Sequence, residues 1–362
     1  PSATEANVIY RVYDLVSGAC EDVTVGSILN GSRGAWHWAD PSGERLRPGE
    51  ANDAAGLNLV WTGFNADIAC KTTKLVMRYL PAKDQPVRIL NSDNGTIEEN
   101  FWVAVYETTQ AQWKNVHGTT PSFATVGDMK PASNVKFDDI RGAKGPEDEE
   151  AKYYWPNDPD PESFLGKLRE LTGAAFDLPR EAYWEYAGQV NSDWRLCSDY
   201  TGKRTYNTGK SFGTENGALG YANESGTKVS WPSDPNFPGT YKGNASAYAD
   251  VGSFAPSKVG LYDFHGNVKE LCVDWSNGYV QQLQQKGLGG KANVNLEDPT
   301  QMLDWNKATY PDKGAGTARM TIGSTWSTAL ADQTPNYTRG SLSPSSADNT
   351  VGFRVIIAEK ND

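Results

Sequence analysis

The sequence has few of the residues on which many active sites and disulfide scaffolds are built. Its 362 residues include three histidines, four cysteines and four methionines. The histidines His37, His117 and His265 are scattered, which argues against a histidine-rich catalytic metal site. Four cysteines are too few for a disulfide scaffold, although their even number allows two bridges. There is also no apolar run near the roughly 20 residues that a membrane-spanning helix needs.

Basic residues are in the minority. The chain has 34 Lys and Arg against 45 Asp and Glu, for a formal charge of −11. A nucleic-acid-binding protein would need a basic footprint, so nucleic acid is not expected as a partner. Charged residues make up 22% of the chain, close to the globular norm of about 25%, so disorder throughout is not expected. The chain begins at Pro1 without Met, which is typical of a trimmed chain and leaves a removed targeting segment open.

Length and the abundant residue types favour a loop-rich globular chain. About 150 residues per domain gives a prior of two domains, with one large domain also allowed. The 36 Gly and 20 Pro punctuate turns, and the 12 Trp and 17 Tyr fill irregular pockets or bind ligands. This composition predicts few long helices. Residues 189–260 lack clear periodicity, which is typical of functional or ion-ordered loops.

Alternating apolar residues predict several short strands. The predicted strands are Val8–Tyr13, Thr73–Pro81, Phe101–Glu107 as a central strand, and two near the end within "RMTIGSTW" and "VGFRVIIAE". Residues 1–72 consist of short strands and turns. A disulfide between Cys20 and Cys70 would tie this segment together in an oxidising compartment, and the sequence leaves it open.

Three short helices are predicted, near 108–117, 162–172 and 179–188. Thr108 or Thr109 would cap the first helix, with Gln112 near the capping-box position. Gly173 would end the second, and Pro179 lies in the first turn of the third.

Eight motifs follow one another in an order that resembles a known family. They are Tyr106–Trp113, Thr120–Phe123, Pro131–Ile140, Thr172–Gly188, Tyr221–Gly226, Val259–Trp275, Ile322–Trp326 and Ser343–Val355. In this order they resemble the formylglycine-generating enzyme family, also called sulfatase-modifying factor domains, over about residues 73–358. The resemblance implies an α+β fold of the C-type lectin-like type, loop-rich, with a small twisted antiparallel sheet and two to three helices. It predicts one domain over residues 73–362, preceded by a β-rich amino-terminal extension of residues 1–72.

The resemblance does not extend to the family's catalytic residues. Active members oxidise a target cysteine with a pair of cysteines that follow a "GGSW"-like motif and bind copper. The matching motif here is Gly323–Trp326, but no cysteine occurs after Cys272. Hydroxyl and amide side chains such as Ser327, Thr328 and Gln333 cannot replace thiolates as ligands of Cu(I). Copper and catalytic residues are therefore not expected.

A non-catalytic use of the same fold is the favoured interpretation. Some phage and bacterial proteins diversified by retroelements use this fold for binding, with variable residues at the carboxyl end. The matching surface is Ser327–Ser343, with Trp326 as its floor, and its small polar residues are typical of adaptable binding loops. The candidate ligand-binding residues are Trp326, Thr328, Leu330, Asp332, Gln333, Asn336, Tyr337 and Arg339. An ordinary polar loop is the alternative.

The predicted function is binding of a protein or another surface ligand of unknown identity, without catalysis. Such a protein belongs at the cell surface, in secreted form or on a phage particle rather than in the cytoplasm. The first alternative is a sulfatase-modifying-factor-like oxidoreductase with altered chemistry. A structural or regulatory partner protein is a third class.

The resemblance also implies structural calcium. The "GNVKEL" motif matches a family calcium site, and the residues "NE" at 223–224 match a second one. The candidate ligands are Asn267, Val268, Glu270, Asn223 and Glu224. Carboxylate, amide and backbone oxygens suit Ca²⁺, whereas Lys269, where relatives have Trp, adds a cation close by. A hydrogen-bonded turn is the alternative.

Two other features are left open or interpreted as structural. A Cys197–Cys272 bridge, a buried thiol and a catalytic thiol with His265 as base remain alternatives for Cys272. Glu181 and Glu185 share one helical face at i,i+4 spacing and are interpreted as structural.

Overall fold

The computed structural model describes most of the chain in sixteen ranges. These are residues 8–34, 36–39, 45–46, 59–89, 92–123, 125–143, 152–153, 157–189, 222–223, 228–231, 239–242, 248–253, 259–276, 318–323, 325–326 and 339–359. The strands of these ranges are β1 Val8–Asp14, β2 Cys20–Thr24, β3 Trp36–Ala39, β4 Arg45–Leu46, β5 Leu59–Trp61, β6 Lys74–Leu80, β7 Pro86–Ile89, β8 Ser92–Thr96, β9 Phe101–Ala104, β10 Phe176–Asp177, β11 Ala222–Asn223, β12 Lys228–Trp231, β13 Gly239–Lys242, β14 His265–Gly266, β15 Lys269–Trp275, β16 Arg319–Ile322, β17 Arg339–Leu342, β18 Val351–Gly352 and β19 Ile356–Ala358. The helices are α1 Val25–Leu29, α2 Gln110–His117, α3 Phe137–Arg141, α4 Phe164–Thr172 and α5 Glu181–Gln189.

A six-stranded antiparallel sheet is the largest sheet of the described residues. Its order is β10-β19-β9-β6-β1-β2, so the predicted central strand, β9, lies inside it. Phe101 and Val103 of β9 point to one apolar cluster, while Trp102 and Ala104 point to a second. This alternation is that of a strand buried on both faces. Burial of both faces explains why β9 reads as a continuous apolar run.

A four-stranded sheet with the order β17-β16-β15-β18 supplies the other half of the core. The β15–β16 and β16–β17 pairs are antiparallel, and β15 pairs with β18 in parallel. Cys272 and Ile322 join the first cluster, and Leu271 and Val273 join the second. Both sheets therefore contribute to the same two clusters.

The three predicted helices are confirmed, and the first two follow the predicted capping chemistry, whereas α5 begins at Glu181, so that Pro179 precedes it. Thr109 caps α2, and its reciprocal bonds with Gln112 form a capping box. Ser163 caps α4, which ends at Gly173 in the left-handed conformation. Helices α1 and α3, each of five residues, were not predicted, because so short a helix has little periodicity to detect.

The amino-terminal segment is part of the large sheet. Strand β1 pairs with β2 on one side and with β6 on the other. Ile9 and Tyr10 are buried in the same cluster as Leu261 and Tyr262. The described residues before position 73 therefore pack into the core of the domain.

One prediction from the sequence differs from the structure, and one alternative that the sequence left open is settled. The stretch "VGFRVIIAE" forms two strands, β18 and β19, that belong to different sheets, because the chain passes from one sheet to the other at Phe353–Val355. Cys20 and Cys70 are free thiols, one exposed and one buried, so the bridge between them is absent. Cys197 lies outside the described residues, and Cys272 is buried.

Candidate functional site

The "GNVKEL" motif forms part of a buried polar cluster between the two sheets. Glu270 of β15 is 1% exposed and pairs with Arg354, which is fully buried. Nε and Nη2 of Arg354 donate to the Glu270 carboxylate at 2.6 and 2.5 Å, and Nε1 of Trp184 donates at 2.7 Å. Arg354 also donates to the carbonyls of Ala104 and Tyr262, at 3.2 and 3.1 Å. Both oxygens of the Glu270 carboxylate therefore accept hydrogen bonds, from the Arg354 guanidinium and from the Trp184 indole.

Glu107, which follows β9, is the second carboxyl group of this cluster. It is 0% exposed and accepts bonds from Nδ2 of Asn267 at 2.6 Å and from the backbone N–H of Val268 at 3.2 Å. Burial raises the pKa of Glu107 well above its usual range, and the nearby carboxylates Asp263 and Glu270 raise it further.

Asp263 is the third buried carboxyl group. It is 3% exposed and has a φ of 61°, in the left-handed region that few side chains adopt. Its Oδ2 accepts the backbone N–H of Gly252 at 2.7 Å, and its Oδ1 is buried with no hydrogen-bond partner among the residues that the structure describes. Burial raises the pKa of Asp263 to about 6, while Gly252, Arg354 and Lys71 oppose the rise.

Trp326, the predicted floor of the binding surface, is attached directly to this cluster. Its backbone N–H donates to the carbonyl of Asn267 at 2.9 Å, and its ring meets Tyr248 edge-on at 6.0 Å between centroids. Asn267 also accepts the N–H of Ala249 through Oδ1 at 3.0 Å. Asn267 therefore links the loop 248–253 to Trp326.

The other predicted ligand-binding residues are only partly within the described ranges. Arg339 begins β17, where its backbone pairs with Ile322. Six of the predicted residues lie outside the described residues: Thr328, Leu330, Asp332, Gln333, Asn336 and Tyr337.

The two predicted calcium segments lie side by side. Strands β11 and β14 are parallel neighbours, with Asn223 opposite Gly266, one residue before Asn267. Glu224 lies outside the described residues. The structure therefore brings together backbone segments that are more than forty residues apart in the sequence.

The described side chains do not fit a calcium ion. Both oxygens of Glu270, both of Glu107 and Oδ1 of Asn267 accept N–H donors. Ca²⁺ takes six to eight oxygen ligands, so it would have to displace several of these bonds. No group of three His, Cys, Asp or Glu that could hold a metal occurs among the residues that the structure describes. Val268 contributes to the cluster through its backbone N–H, which donates to Glu107.

Four members of the cluster were not predicted from the sequence. Glu107 and Arg354 lie within quoted motifs, but nothing in their spacing showed that they meet. Asp263 also lies within a quoted motif, whereas Lys71, the other cation of this cluster, gave no signal beyond being a charged residue in apolar surroundings. All four act through contacts between distant parts of the chain, which a single sequence does not reveal.

Glu181 and Glu185 are buried in α5, at 1% and 0% exposure. Asp274 of β15 caps this helix by accepting the N–H of Glu181 at 2.6 Å. Burial, together with the nearby charge of Glu181, raises the pKa of Asp274 to about 7. This arrangement attaches α5 to β15, in keeping with the structural interpretation of the two glutamates.

The comparisons with known proteins identify the family. The model of the sulfatase-modifying factor enzyme 1-like domain matches residues 90–359, about three quarters of the chain. The chain belongs to this family, and the predicted fold class, α+β of the C-type lectin-like formylglycine-generating-enzyme type, is confirmed. Strands β1, β2 and β6 precede the matched residues, although they complete its main sheet.

Individual relatives are distant. The chaperone protein LppX of Paenibacillus barcinonensis is 27% identical over 201 residues, which cover 51% of this chain and 65% of that protein. The chain thus spans less than two thirds of that relative's length.

Three solved structures resemble this chain at low sequence identity. Treponema denticola variable protein 1 is 17% identical with a TM-score of 0.46, covering 79% of this chain and 96% of its own. PvdO of Pseudomonas aeruginosa is 19% identical with a TM-score of 0.47, covering 78% and 94%. CarF is 16% identical with a TM-score of 0.39, covering 74% and 89%.

Proposed function

We propose that this domain is a non-catalytic binding module whose carboxyl-terminal face takes a protein or another surface ligand. The observation that carries the proposal is the absence of any cysteine after Cys272, although the chain retains the family's other motifs through Val355. Without thiolates beside Gly323–Trp326 there are no ligands for the copper ion on which the family's cysteine oxidation depends. A domain that keeps the fold but lacks the family's chemistry is suited to binding a ligand.

The geometry around Trp326 supports a binding role. Its backbone is fixed by Asn267, and its ring contacts Tyr248. Its indole Nε1 is buried and has no hydrogen-bond partner in the described part of the chain. An indole on a rigid support is a favourable anchor, because little side-chain entropy remains to be lost on binding.

The proposal includes a subclass and a setting. Diversification of residues 320–355 by a retroelement would place variable side chains on this supported face. The protein would then act at the cell surface, in secreted form or on a phage particle. No helix of the described residues is long and apolar enough to cross a membrane. Strain sequences that are identical elsewhere but diverge within residues 320–355 support the subclass, and uniform identity there contradicts it.

Site-specific photo-crosslinking tests the binding face. A photoreactive phenylalanine analogue at position 326 is compared with the same analogue at Val16, which is 72% exposed in the turn after β1. Incubation with extract or culture medium from the source organism, followed by mass spectrometry, should give one recurrent adduct at position 326 and none at position 16. Equal adducts at both positions, or none at position 326, would contradict the proposal.

The curated relative favours a second, compatible function. LppX is named a chaperone protein, so the ligand of this chain could equally be a client polypeptide. Suppression of aggregation of a chemically denatured model enzyme tests this. A chaperone slows light scattering at substoichiometric or stoichiometric amounts, whereas a module specific for one ligand leaves the scattering unchanged.

Catalysis with altered chemistry is the alternative that a direct assay separates from binding. The protein is incubated with a cysteine-bearing sulfatase peptide, Cu and O₂, and the peptide is analysed for aldehyde. The binding proposal expects no aldehyde above a peptide-only control. Aldehyde formation that requires the protein would overturn it.

A further inference from the structure

Lys130 attaches loop 248–253 to a distant part of the chain. Its Nζ donates to the carbonyl of Tyr248 and lies against Oδ1 of Asp250, both at 2.9 Å. The side chains of Lys130 and Asp250 are 20% and 41% exposed, so water screens the pair only in part. The bond from a charged donor to the backbone carbonyl adds to it. One lysine therefore holds two residues of the loop.

The turn 127–130 that carries this lysine is fixed to the start of helix α2. The carbonyl of Lys130 accepts the backbone N–H of Gln110 at 2.9 Å, and Oε1 of Gln110 accepts the N–H of Gly127 at 3.0 Å. The first N–H groups of a helix have no partner within it, so the turn satisfies one of them. A Cβ at Gly127 would meet Cγ of Lys130 at 2.9 Å, which places the lysine stem directly over the turn. Both the backbone and the stem of Lys130 are thus held.

The loop contains no helix or strand, so its side-chain and backbone bonds set its conformation. The N–H of Val251 donates to the carbonyl of Met129 at 2.9 Å. The N–H of Gly252 donates to Oδ2 of Asp263 at 2.7 Å, and its carbonyl accepts Nδ2 of Asn65 at 3.2 Å. The turn before α2 therefore supplies bonds to three residues of the loop, and two other segments bond a fourth.

Two contacts connect the loop to Trp326. The ring of Tyr248, which is 2% exposed, meets the Trp326 ring edge-on, and the Tyr248 hydroxyl donates to the carbonyl of Asn349. The second contact passes through Asn267. Its Oδ1 accepts the N–H of Ala249 at 3.0 Å, and its carbonyl accepts the N–H of Trp326 at 2.9 Å.

The conformation of Asn267 depends on these bonds. Its φ is 58°, in the left-handed region that a residue with a side chain keeps only where its surroundings hold it. Nδ2 donates to Glu107 at 2.6 Å, and Oδ1 bonds Ala249. Withdrawal of Ala249 would therefore loosen the turn whose carbonyl holds Trp326.

We propose that Lys130 is a positioning residue of the carboxyl-terminal face, which keeps Trp326 in place through loop 248–253. The contacts run from helix α2 through Lys130 to the loop, and from the loop through Tyr248 and Asn267 to Trp326. An anchor held in this way loses little further freedom when a ligand binds. The inference rests on the proposed function for the role of Trp326, whereas the coupling itself is a property of the ligand-free protein.

Amide hydrogen exchange of the full chain without ligand tests the coupling. Lys130→Met should speed exchange at Ala249, Val251 and Trp326 about tenfold, because a charge-assisted bond that closes the loop is lost. The turn 14–18 after β1 has its own bonds to Asp14, and its opening leaves Lys130 in place. Its amides should exchange at the wild-type rate.

Three further variants control this result. Lys114→Met changes an exposed lysine of helix α2 and should alter these rates less than about twofold. Lys130→Arg keeps the charge and the donors and should stay within about threefold of the wild type. Asp250→Asn keeps the bond from Lys130 to Tyr248 and should speed exchange about threefold.

A double variant shows whether the two side chains act together. Lys130→Met with Asp250→Asn should exchange no faster than Lys130→Met alone, and additive effects would contradict the pairing. If Lys130→Met does not fold, Asp250→Asn still supports the proposal through faster exchange at Trp326 as well as in the loop. An effect of Asp250→Asn confined to the loop would contradict it.

Two outcomes of the Lys130→Met experiment would overturn the proposal. Faster exchange in loop 248–253 with an unchanged rate at Trp326 would mean that Lys130 holds the loop alone. An equal rise at every amide, including the turn 14–18, would assign Lys130 to the overall stability of the fold. Because exchange needs no ligand, absence of adducts at position 326 of the wild-type background would overturn the proposed function and leave the coupling standing.

Discussion

The six-stranded and four-stranded sheets share two apolar clusters but depend on different interactions. The larger sheet is apolar on both faces at β9, although it also buries Arg78 of β6 and Asp177 of β10, and its solvent-accessible ion pair, Arg11 with Asp22, lies toward the edge strand β2. The smaller sheet carries Glu270 and Asp274, buried acidic residues on β15. Apolar packing tolerates small adjustments, whereas a buried charge needs its specific partner. The two sheets should therefore respond differently to substitution and to pH.

The largest effect is expected from breaking the Glu270–Arg354 pair. Glu270→Gln leaves the fully buried guanidinium without a charged partner and should cost about 3–5 kcal/mol of unfolding free energy. Urea unfolding at neutral pH measures the loss.

Asp22→Asn is the control in the larger sheet. Its pair with Arg11 is solvent-accessible, so the change should cost less than about 1 kcal/mol. Equal losses for the two variants would remove the distinction between the sheets. A rescue of Glu270→Gln by CaCl₂ would point instead to a metal at this position.

The second-largest effect is expected from Asp274→Asn, which should be more stable than the wild type at high pH. Burial raises the pKa of Asp274 in the folded state from 3.8 to about 7, so the folded protein binds a proton that the unfolded chain has lost. Stability from this group is complete below pH 4 and falls as the pH rises toward 7. Asp274→Asn should therefore be close to wild type near pH 4 and more stable well above pH 7, by on the order of 4 kcal/mol.

Urea unfolding across pH 4–8 measures this difference. A difference between wild type and Asp274→Asn that stays constant with pH would contradict the expected titration.

A purely apolar change in the larger sheet gives the matching comparison. Leu80 of β6 is 0% exposed within the first cluster, so Leu80→Ala should cost about 2–3 kcal/mol through lost burial and a residual cavity. No titratable group changes, and the loss should be the same at pH 5 and pH 8. A loss that varies with pH would show that the two sheets are electrically coupled through the shared core.

The same contrast explains how much was predictable from the sequence. Strand β9 and helices α2 and α4 follow from local signals: alternating apolar residues, the Thr109–Gln112 capping box and the Gly173 terminus. The motif order identified the family and hence the fold class.

The buried cluster was not predictable, because its members are distant in sequence. Arg354 and Glu270 are 84 residues apart, and Asn267 and Glu107 are 160 apart. The single strand predicted over "VGFRVIIAE" failed for the same reason, since Arg354 lies where the chain leaves one sheet for the other. Local patterns report the period of a strand and not the sheet that it joins.

The smallest effect is expected at the edge of the larger sheet. Cys20 is exposed in β2 and Cys70 is buried, and both are free thiols. Cys20→Ser should change the unfolding free energy by less than about 0.5 kcal/mol, and a reducing agent should not change that of the wild type. A bridge between the two residues would close a loop of about 50 residues and stabilise the fold by about 4 kcal/mol. Unfolding with and without dithiothreitol separates the cases, because only a bridged protein loses stability on reduction to the level of the serine variant.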